Sequence, residues 1–290
     1  MNKGGLRNFM LAVLGVVGYG LFRILPLDWA SALGSAIGRH IGMRMSVTRR
    51  ARRNLARAFP EKSEAEREKI VRDMWDHLGR CLGEFSQIDR ILKSDRVEIV
   101  GAEYLEQLRD DGKPGLIVSG HIGNWEVGAN LPHQRYGLRL HFIFRAANNR
   151  WAKWLYERRT VEDAGEMIPK GSSGARRAVQ LLKQGEHIGM LVDQKMNDGI
   201  PVPFFGRDAM TAPALAQFAY KFDCPILPAR MERLGGARFR YTIFPPMDLP
   251  HSGDRHADIL AAMTQVNATL ESWIRERPDQ WLWLHRRWPD

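Results

Sequence analysis

Cysteine is almost absent from this sequence of 290 residues, in which Cys81 and Cys224 are the only two examples. So few cysteines exclude a disulfide framework, and their apolar neighbours indicate small hydrophobic core residues. The sequence also lacks a His-Glu-x-x-His motif and any cysteine or histidine cluster at metal-ligand spacing. No Gly-x-Ser-x-Gly motif surrounds Ser119, because Ile117 stands where the first glycine is needed. We therefore expect neither a metal, nor a cofactor, nor a serine nucleophile.

Long apolar runs are missing as well, since none reaches the length of about 20 residues that a membrane-spanning helix needs. The longest uncharged run is Asn8–Phe22, which has an arginine on each side. It predicts an N-terminal membrane-associated helix that either spans the bilayer as an anchor or lies at its interface. A cleaved signal peptide is disfavoured, because Pro26 and Asp28 separate this run from the small residues of Ala30–Ala32.

Acidic residues are outnumbered by basic ones, which gives a net charge of +10 and a pI near 9.9. Nucleic acid, anionic lipid and an acidic carrier protein are the partners that this charge favours. No nucleic-acid-binding signature is present, so we expect no nucleic acid. The segment Arg39–Arg57 contains seven arginines and no acidic residue. Such a run is either a solvated face or a contact with an anionic membrane surface, and we favour the membrane.

The middle of the chain indicates an α/β fold with a central mixed sheet flanked by helices. A capping box, Ser63–Glu66, opens a helix whose apolar stripe is expected in the core; the stripe consists of Ile70, Met74, Leu78, Cys81, Leu82, Phe85 and Ile88. The predicted strands are Val97–Val100, Leu116–Ser119, His141–Phe144, Ile188–Val192, Ile226–Arg230 and Phe239–Phe244. The predicted later helices are Arg150–Ala164, Gly174–Gln184, Ala212–Phe222 and Ala257–Arg275. We expect residues 1–60 to form a membrane anchor and basic interfacial segment, and residues 61–290 to form a catalytic domain.

The most informative motif is His-Ile-Gly-Asn-Trp-Glu at residues 121–126. It follows the apolar run Gly115–Ser119, so His121 is predicted at a strand end and Glu126 in the first turn of the next helix. Two residues five positions apart point roughly 140° away from each other on one helix, so they can meet only if His121 lies in the loop. In that arrangement Glu126 would orient His121 as a general base for an alcohol. A structural or solvated histidine is the alternative for this motif taken alone.

Five segments in order give the chain a resemblance to a known family, the bacterial lipid A biosynthesis acyltransferases of the lysophospholipid acyltransferase superfamily. The segments are Arg53–Glu61, His121–Glu126, Arg145–Asn149, Leu191–Gln194 with Gly199–Gly206, and Pro278–Arg287. The chain departs from the family pattern at Ala146, where proline is frequent, and at Lys195-Met196.

The resemblance implies acyl transfer from acyl–acyl carrier protein to a hydroxyl of a Kdo-bearing lipid A precursor, without a covalent acyl-enzyme. It implies that His121 is the base and Glu126 its partner. It also implies a location at the inner membrane, with the catalytic domain on the cytoplasmic face.

Several further residues are expected to bind substrate. Asp193 and Gln194 end a strand of the same sheet, where sites of open α/β sheets lie. Asp193 is either a carboxylate that supports the catalytic residues from behind or a helix N-cap. Backbone amides near Gly123 and Asn124, or a nearby arginine, are candidates for stabilising the oxyanion.

Charged and aromatic residues complete the set of candidates. Arg145, Arg158 and Arg159 follow the third strand and are expected to bind phosphate, which both the anionic acceptor and the phosphopantetheine of the carrier bear; solvated surface arginines are the alternative. Lys170–Arg176 opens a helix and is a weaker candidate for an anion site. The aromatic residues Phe204, Phe205, Trp281, Trp283 and Trp288 line either an acyl groove or, as we favour, the core.

Other functions stay open at this point. The acceptor is alternatively a lysophospholipid, an aminoacyl lipid or a mannoside glycolipid. A non-catalytic basic membrane adaptor is a second alternative, which the intact pair of His121 and Glu126 disfavours. A nucleotide-binding protein is disfavoured because no Gly-x-Gly-x-x-Gly motif follows a strand.

Overall fold

The computed structural model describes residues 3–144 and 163–288. Its helices are α1 (Lys3–Ile24), α2 (Leu27–Ile41), α3 (Thr48–Ala58), α4 (Glu64–Glu84), α5 (Ile88–Leu92), α6 (Ala102–Asp110), α7 (Trp125–Tyr136), α8 (Ser172–Lys183), α9 (Ala214–Phe222) and α10 (Arg255–Glu276). Its strands are β1 (Val97–Val100), β2 (Gly115–Ser119), β3 (Leu140–Phe144), β4 (Met167–Pro169), β5 (His187–Leu191), β6 (Ile200–Phe204), β7 (Arg207–Thr211), β8 (Ile226–Gly235) and β9 (Arg238–Ile243).

Seven strands form a central sheet in the order β1-β9-β8-β2-β5-β3-β4. Neighbouring strands run parallel except β8 and β9, which are antiparallel. The expected mixed sheet with flanking helices is therefore confirmed. The six predicted strands are present and their ends differ by one residue at most, except that β8 continues five residues beyond its predicted end at Arg230. Three short strands were not predicted: β4, and the hairpin of β6 and β7. The predicted helix Arg150–Ala164 lies almost entirely outside the described residues.

Two hydrophobic clusters cover the two faces of the sheet. Leu116 and Val118 of β2 belong to the larger cluster, while Ile117 between them faces the smaller one under α7. This strand is an unbroken apolar run because its alternating side chains are buried on both sides, as is usual for a central parallel strand. Cys224 is buried in the larger cluster as expected, whereas Cys81 is only partly buried.

Helix α4 begins at the predicted capping box. The Ser63 side chain accepts a hydrogen bond from the Glu66 amide, and the Glu66 carboxylate accepts one from the Ser63 amide at 2.7 Å. These bonds satisfy amides that have no partner within the helix. The predicted apolar stripe is wrong for Leu82, which is 58% exposed, and the helix ends at Glu84, before the last two stripe positions.

The N-terminal helices pack against α4. Gly34 of α2 and Gly79 of α4 are in close contact, since a Cβ on Gly34 would lie 2.1 Å from the Gly79 oxygen. Only glycine permits this approach of the two backbones. An ion pair between Arg23 and Asp89, at 2.5 Å, joins the end of α1 to α5. The division of the chain near residue 60 into two domains stays a prediction.

Within residues 3–144 and 163–288, no helix combines the length and the apolar composition that crossing a bilayer requires. The spanning form of the expected N-terminal membrane helix is therefore not supported. Helix α1 nevertheless exposes several large apolar side chains, namely Met10, Val13, Leu14, Val16, Val17, Leu21 and Ile24.

The arginine-rich segment is partly engaged within the protein. Arg52 forms a two-pronged ion pair with Glu68 at 2.7 and 2.8 Å. Arg50 donates a hydrogen bond to the Leu284 carbonyl at 2.9 Å. Because these side chains have partners in the fold, only part of the basic charge of α3 remains for an external anionic surface.

Candidate active site

His121 lies in the loop between β2 and α7, and Glu126 lies in the first turn of α7, as the sequence predicted. Gly123 makes the tight loop possible. It adopts a φ of +58°, and a Cβ at this position would lie 2.1 Å from the Met231 carbonyl oxygen. Other residues would be strained there and would also clash with β8. The glycine therefore holds the His121 loop against the neighbouring strand.

A buried aspartate contacts His121 through both carboxylate oxygens. The Nδ1 atom of His121 lies 2.8 Å from Oδ1 of Asp193, and the His121 amide donates to Oδ2 at 2.7 Å. Trp281 donates a further hydrogen bond from Nε1 to Oδ2 at 2.7 Å. Asp193 is 0% exposed. Burial acts to raise the pKa of Asp193, but the charge and hydrogen bonds of His121 outweigh it and hold that pKa well below its usual range.

The carboxylate at Nδ1 of His121 is that of Asp193, not that of Glu126. The catalytic role expected for Glu126 stays a prediction. Glu126 lines the same cavity as His121 and accepts a hydrogen bond from Nε1 of Trp125 at 3.0 Å. Asp193 lies behind the histidine, which agrees with the interpretation of this residue as a supporting carboxylate rather than a helix N-cap.

The other ring nitrogen of His121 faces Gln194, which was predicted as a substrate-binding residue. Nε2 of Gln194 lies 3.2 Å from Nε2 of His121 and 3.5 Å from Nε2 of His285. When the proton of the His121 ring is on Nδ1, the Nε2 atom carries a lone pair. This lone pair is able to accept a hydrogen bond from the side-chain amide of Gln194. Gln194 therefore contacts the atom that would take a proton from a substrate.

His285 is a site residue that the sequence reasoning did not single out. Its ring lies 4.9 Å from the His121 ring, centroid to centroid. Burial is the main cause that lowers the pKa of His285 to about 4, so the ring is neutral at neutral pH. The available signal for a functional role of His285 is its position in the Pro278–Arg287 segment of the family resemblance, in which the sequence analysis singles out only the tryptophans.

The N-terminal and C-terminal segments of the family resemblance meet beside this site. Asn54 of α3 donates two hydrogen bonds of 2.8 Å each from Nδ2, to the carbonyl oxygens of Trp283 and His285. These bonds fix the turn that carries His285. The Arg53–Glu61 segment thus supports the active site from outside, although its residues are far from the histidines in sequence.

Asn124 has a structural role, which differs from the expected substrate contact. Its side chain is buried and caps α7 by accepting from the Val127 amide at 3.4 Å. Its Nδ2 donates to Glu84 at 2.8 Å, and Glu84 in turn forms a buried pair with Arg233 at 2.5 and 2.9 Å. The Gly123 amide donates to the Gln280 carbonyl at 3.0 Å, so it is engaged rather than open to an oxyanion.

The remaining candidates divide between the described and undescribed parts of the chain. Arg145, Arg158 and Arg159 lie outside the described residues. Lys170 lines the cavity beside His121, and α8 begins two residues later. The aromatic group is core as favoured, because Phe204, Phe205, Trp281, Trp283 and Trp288 are all buried. Among residues 3–144 and 163–288, no three His, Cys, Asp or Glu side chains are grouped to hold a metal ion.

An apolar cavity of about 240 Å³ extends from His121 between the sheet and α7. Five of the residues that line it have polar side chains, namely Ser119, His121, Glu126, Lys170 and Gln194. The remaining wall is largely hydrocarbon and aromatic: Ile117, Trp125, Gly128, Ala129, Leu140, Phe142, Ile143, Phe144, Met167, Met190, Leu191, Met231 and Tyr241. Such a cavity is suited to an aliphatic chain whose reactive end lies at the histidine.

A histidine in contact with a buried carboxylate, beside a largely apolar cavity, indicates the class: an α/β enzyme that acts on a hydrophobic substrate. The chain belongs to the bacterial lipid A biosynthesis acyltransferase family, whose model matches residues 6–290. It is therefore an acyltransferase.

Individual relatives agree with this assignment. The chain is 27% identical to a lipid A biosynthesis lauroyltransferase of Escherichia coli, over 97% of this chain and 92% of that protein. It is 25% identical to a lipid A biosynthesis myristoyltransferase of the same organism, over 94% and 85% of the two chains. It is 23% identical to a lipid A biosynthesis acyltransferase of Haemophilus influenzae, over 93% and 85%.

Proposed function

We propose that the protein transfers a fatty acyl chain from an acyl thioester to a hydroxyl of a lipid A precursor. The contact between His121 and Asp193 at the mouth of the apolar cavity carries this proposal. Family membership and the names of the relatives support lipid A as the acceptor. The intact histidine–carboxylate pair speaks against a non-catalytic adaptor.

His121 acts as the general base in this proposal. Nε2 takes the proton of the acceptor hydroxyl while the hydroxyl oxygen bonds to the thioester carbonyl carbon. The carbon–sulfur bond then breaks, and the proton passes from Nε2 to the leaving sulfur. Asp193 stabilises the charged imidazole that exists between these events, and a base of this kind contributes about 10²–10⁴-fold.

Glu126 and α7 are proposed to act on the substrate side. Glu126 lines the cavity, so we retain it as a catalytic candidate that contacts the reactants rather than the imidazole. The oxyanion requires donors, and amides in the first turn of a helix have no acceptor within the helix. Because α7 begins at Trp125, directly after the His121 loop, the amides of Trp125 and Glu126 are the donors we propose.

The donor that we propose is acyl–acyl carrier protein, an acidic protein that suits the net charge of +10. The apolar wall of the cavity takes the acyl chain. A Kdo-bearing lipid A precursor is anionic, and Arg145, Arg158 and Arg159 remain the proposed contacts to its phosphates and carboxylates.

Membrane contact is proposed at the N-terminal helices. Leu14 and Val17 of α1 and Trp29 of α2 are among the large apolar side chains that are exposed there. Exposed apolar surface of this extent is typical of membrane or protein contacts. We propose that residues 1–60 lie on the cytoplasmic face of the inner membrane and that residues 61–290 form the catalytic part.

A competition assay tests the acceptor. Purified protein receives one acyl–acyl carrier protein together with equal amounts of a Kdo-bearing lipid A precursor and a lysophospholipid, and the products are separated by mass spectrometry. We expect acylation of the lipid A precursor, and none with the His121→Ala variant. Preferential acylation of the lysophospholipid would contradict the acceptor, and equal activity of the variant would contradict the base.

A further inference from the structure

Tyr241 is one of the residues that line the acyl cavity. It lies on β9, opposite Met231 of β8 in the strand register, and both side chains line the cavity. Gly128 of α7 covers them, since a Cβ at this position would lie 3.5 Å from the Met231 side chain and 3.5 Å from the Tyr241 ring. The missing side chain at Gly128 leaves room for the cavity to reach the tyrosine.

The hydroxyl of Tyr241 has no hydrogen-bond partner among residues 3–144 and 163–288. The residue is only 4% exposed, yet its oxygen is not among the fully enclosed atoms that lack a partner. The oxygen therefore adjoins cavity space. Burial raises the pKa of Tyr241, which keeps the hydroxyl protonated and able to donate. Met231, its partner in the strand register, and Gly128, which covers it, offer no polar side chain.

A buried hydroxyl without a partner has consequences for the chain that enters the cavity. Plain methylene groups beside Tyr241 would displace any water there and leave the hydroxyl unpaired, which is unfavourable. A chain with its own oxygen at this point would restore the hydrogen bond. Sites with a buried polar group discriminate strongly against analogues that lack the matching group.

We propose that the Tyr241 hydroxyl is a specificity-determining group, which hydrogen-bonds an oxygen substituent on the acyl chain in the cavity and selects oxygenated chains over plain ones. The inference rests on the proposed function, because it takes the cavity to be the acyl site. Strand β9 is two strands away from β2, roughly 10 Å. We therefore place the matching oxygen several carbons from the reacting carbonyl.

Binding of free fatty acids tests the subsite without requiring turnover. The probes are dodecanoic acid and its hydroxylated forms, with the hydroxyl near the carboxyl group, at mid-chain or near the methyl end, titrated calorimetrically. Wild-type protein is expected to bind a mid-chain hydroxylated form at least tenfold more tightly than dodecanoic acid. Tyr241→Phe, which removes only the hydroxyl, is expected to abolish that preference. Tyr136→Phe, which removes a hydroxyl that does not line the cavity, is the matched control and should retain the preference.

Three outcomes would overturn the subsite. The first is that wild-type protein binds dodecanoic acid more tightly than every hydroxylated form. The second is that Tyr241→Phe changes the affinity for plain and hydroxylated probes equally. The third is that Tyr241→Phe only increases the affinity for longer plain chains. The last would make Tyr241 a limit on chain length. Failure of the proposed function gives a different pattern, in which acyl transfer is absent while the preference in binding persists.

Turnover then distinguishes the two sources of such a chain. In one arm the acyl–acyl carrier protein bears the hydroxylated chain, and in the other an acyl chain of the lipid acceptor does. In one arm we expect a higher kcat/KM for the hydroxylated chain than for the plain chain, and we expect Tyr241→Phe to remove this difference. That arm identifies the chain that is bound at Tyr241. Absence of an effect of Tyr241→Phe in both arms would contradict the proposal.

Discussion

Asp193 accepts two hydrogen bonds from the single residue His121, one from the ring at 2.8 Å and one from the backbone amide at 2.7 Å. The carboxylate thus fixes the imidazole and the loop that carries it. It also sets the tautomer, because an Nδ1–H directed at Asp193 leaves Nε2 as the base. This geometry gives Asp193, rather than Glu126, the position from which a carboxylate orients the His121 ring.

We expect Asp193→Asn to reduce kcat by about 10³–10⁴-fold, because the amide no longer stabilises the charged imidazole or its tautomer. His121→Ala should reduce kcat by a similar factor, and the double variant should be no worse than the single ones, since the pair acts as a unit. Initial rates with acyl–acyl carrier protein and the lipid A precursor measure these losses.

Glu126→Gln provides the comparison for this pair. Because Glu126 lies on the cavity side and not at Nδ1, its effect should add to that of Asp193→Asn. Fully non-additive losses for Glu126 and His121, together with a mild effect of Asp193→Asn, would restore Glu126 as the orienting residue.

The sequence predicted the placement of His121 and Glu126 because both depend on local features, an apolar strand followed by a glycine turn and a helix. It indicated Asp193 as a supporting carboxylate at the site, but not that Asp193 takes the place at Nδ1 of His121 that was expected for Glu126. Strands β2 and β5 are neighbours in the sheet, but β3 and β4 come between them along the chain. Only the order of strands brings Asp193 to His121, and that order is a property of the whole packed sheet.

Tyr241 illustrates the same limit. Its strand was predicted correctly as an element, but nothing local showed that β9 would insert between β1 and β8 with its tyrosine below Gly128. The short strand β4 and the β6–β7 hairpin were missed because runs of three to five residues carry little periodicity. Proline at positions 201 and 203 also disfavoured a strand there.

The lowered pKa of the partly buried His285 predicts a loss of stability in acid. In the unfolded chain its pKa is about 6.5, while burial lowers it to about 4 in the folded protein. Between these values the unfolded chain binds the proton and the folded protein does not. Stability is therefore fully present above pH 6.5 and falls as the pH drops through 4, by on the order of 3 kcal/mol.

Urea unfolding at pH 7, 5 and 4 measures this effect. His285→Gln should show a shallower decline of the unfolding free energy than wild type, because glutamine does not titrate. His256→Gln, at an exposed position of α10, should leave the decline unchanged. A decline of His285→Gln that is as steep as in wild type would show that other groups, among them the buried His77, account for it.

The close contact between α2 and α4 predicts that Gly34→Ala is destabilising. The added methyl group would meet the Gly79 carbonyl oxygen at 2.1 Å and force the helices apart, at a cost of about 1–3 kcal/mol or more. Gly20→Ala in α1 is the control, since nothing lies within 4 Å of its Cβ position. It should be neutral or slightly stabilising, because alanine favours helix more than glycine does. Equal unfolding free energies of the two variants in urea would contradict the packing.

The apolar surface of α1 predicts how the protein attaches to membranes. Leu14 and Val17 are exposed, and burial in the interface of a bilayer would stabilise binding, whereas a charge there would oppose it. We expect Leu14→Glu with Val17→Glu to reduce sedimentation with phosphatidylglycerol vesicles by tenfold or more. Leu260→Glu, at a similarly exposed position of α10, should leave sedimentation unchanged.

High salt separates the apolar from the electrostatic contribution to membrane binding, because screening weakens attraction to basic residues and leaves apolar contacts intact. Binding that persists in the double variant but disappears in salt would place attachment on the arginines of α3 instead.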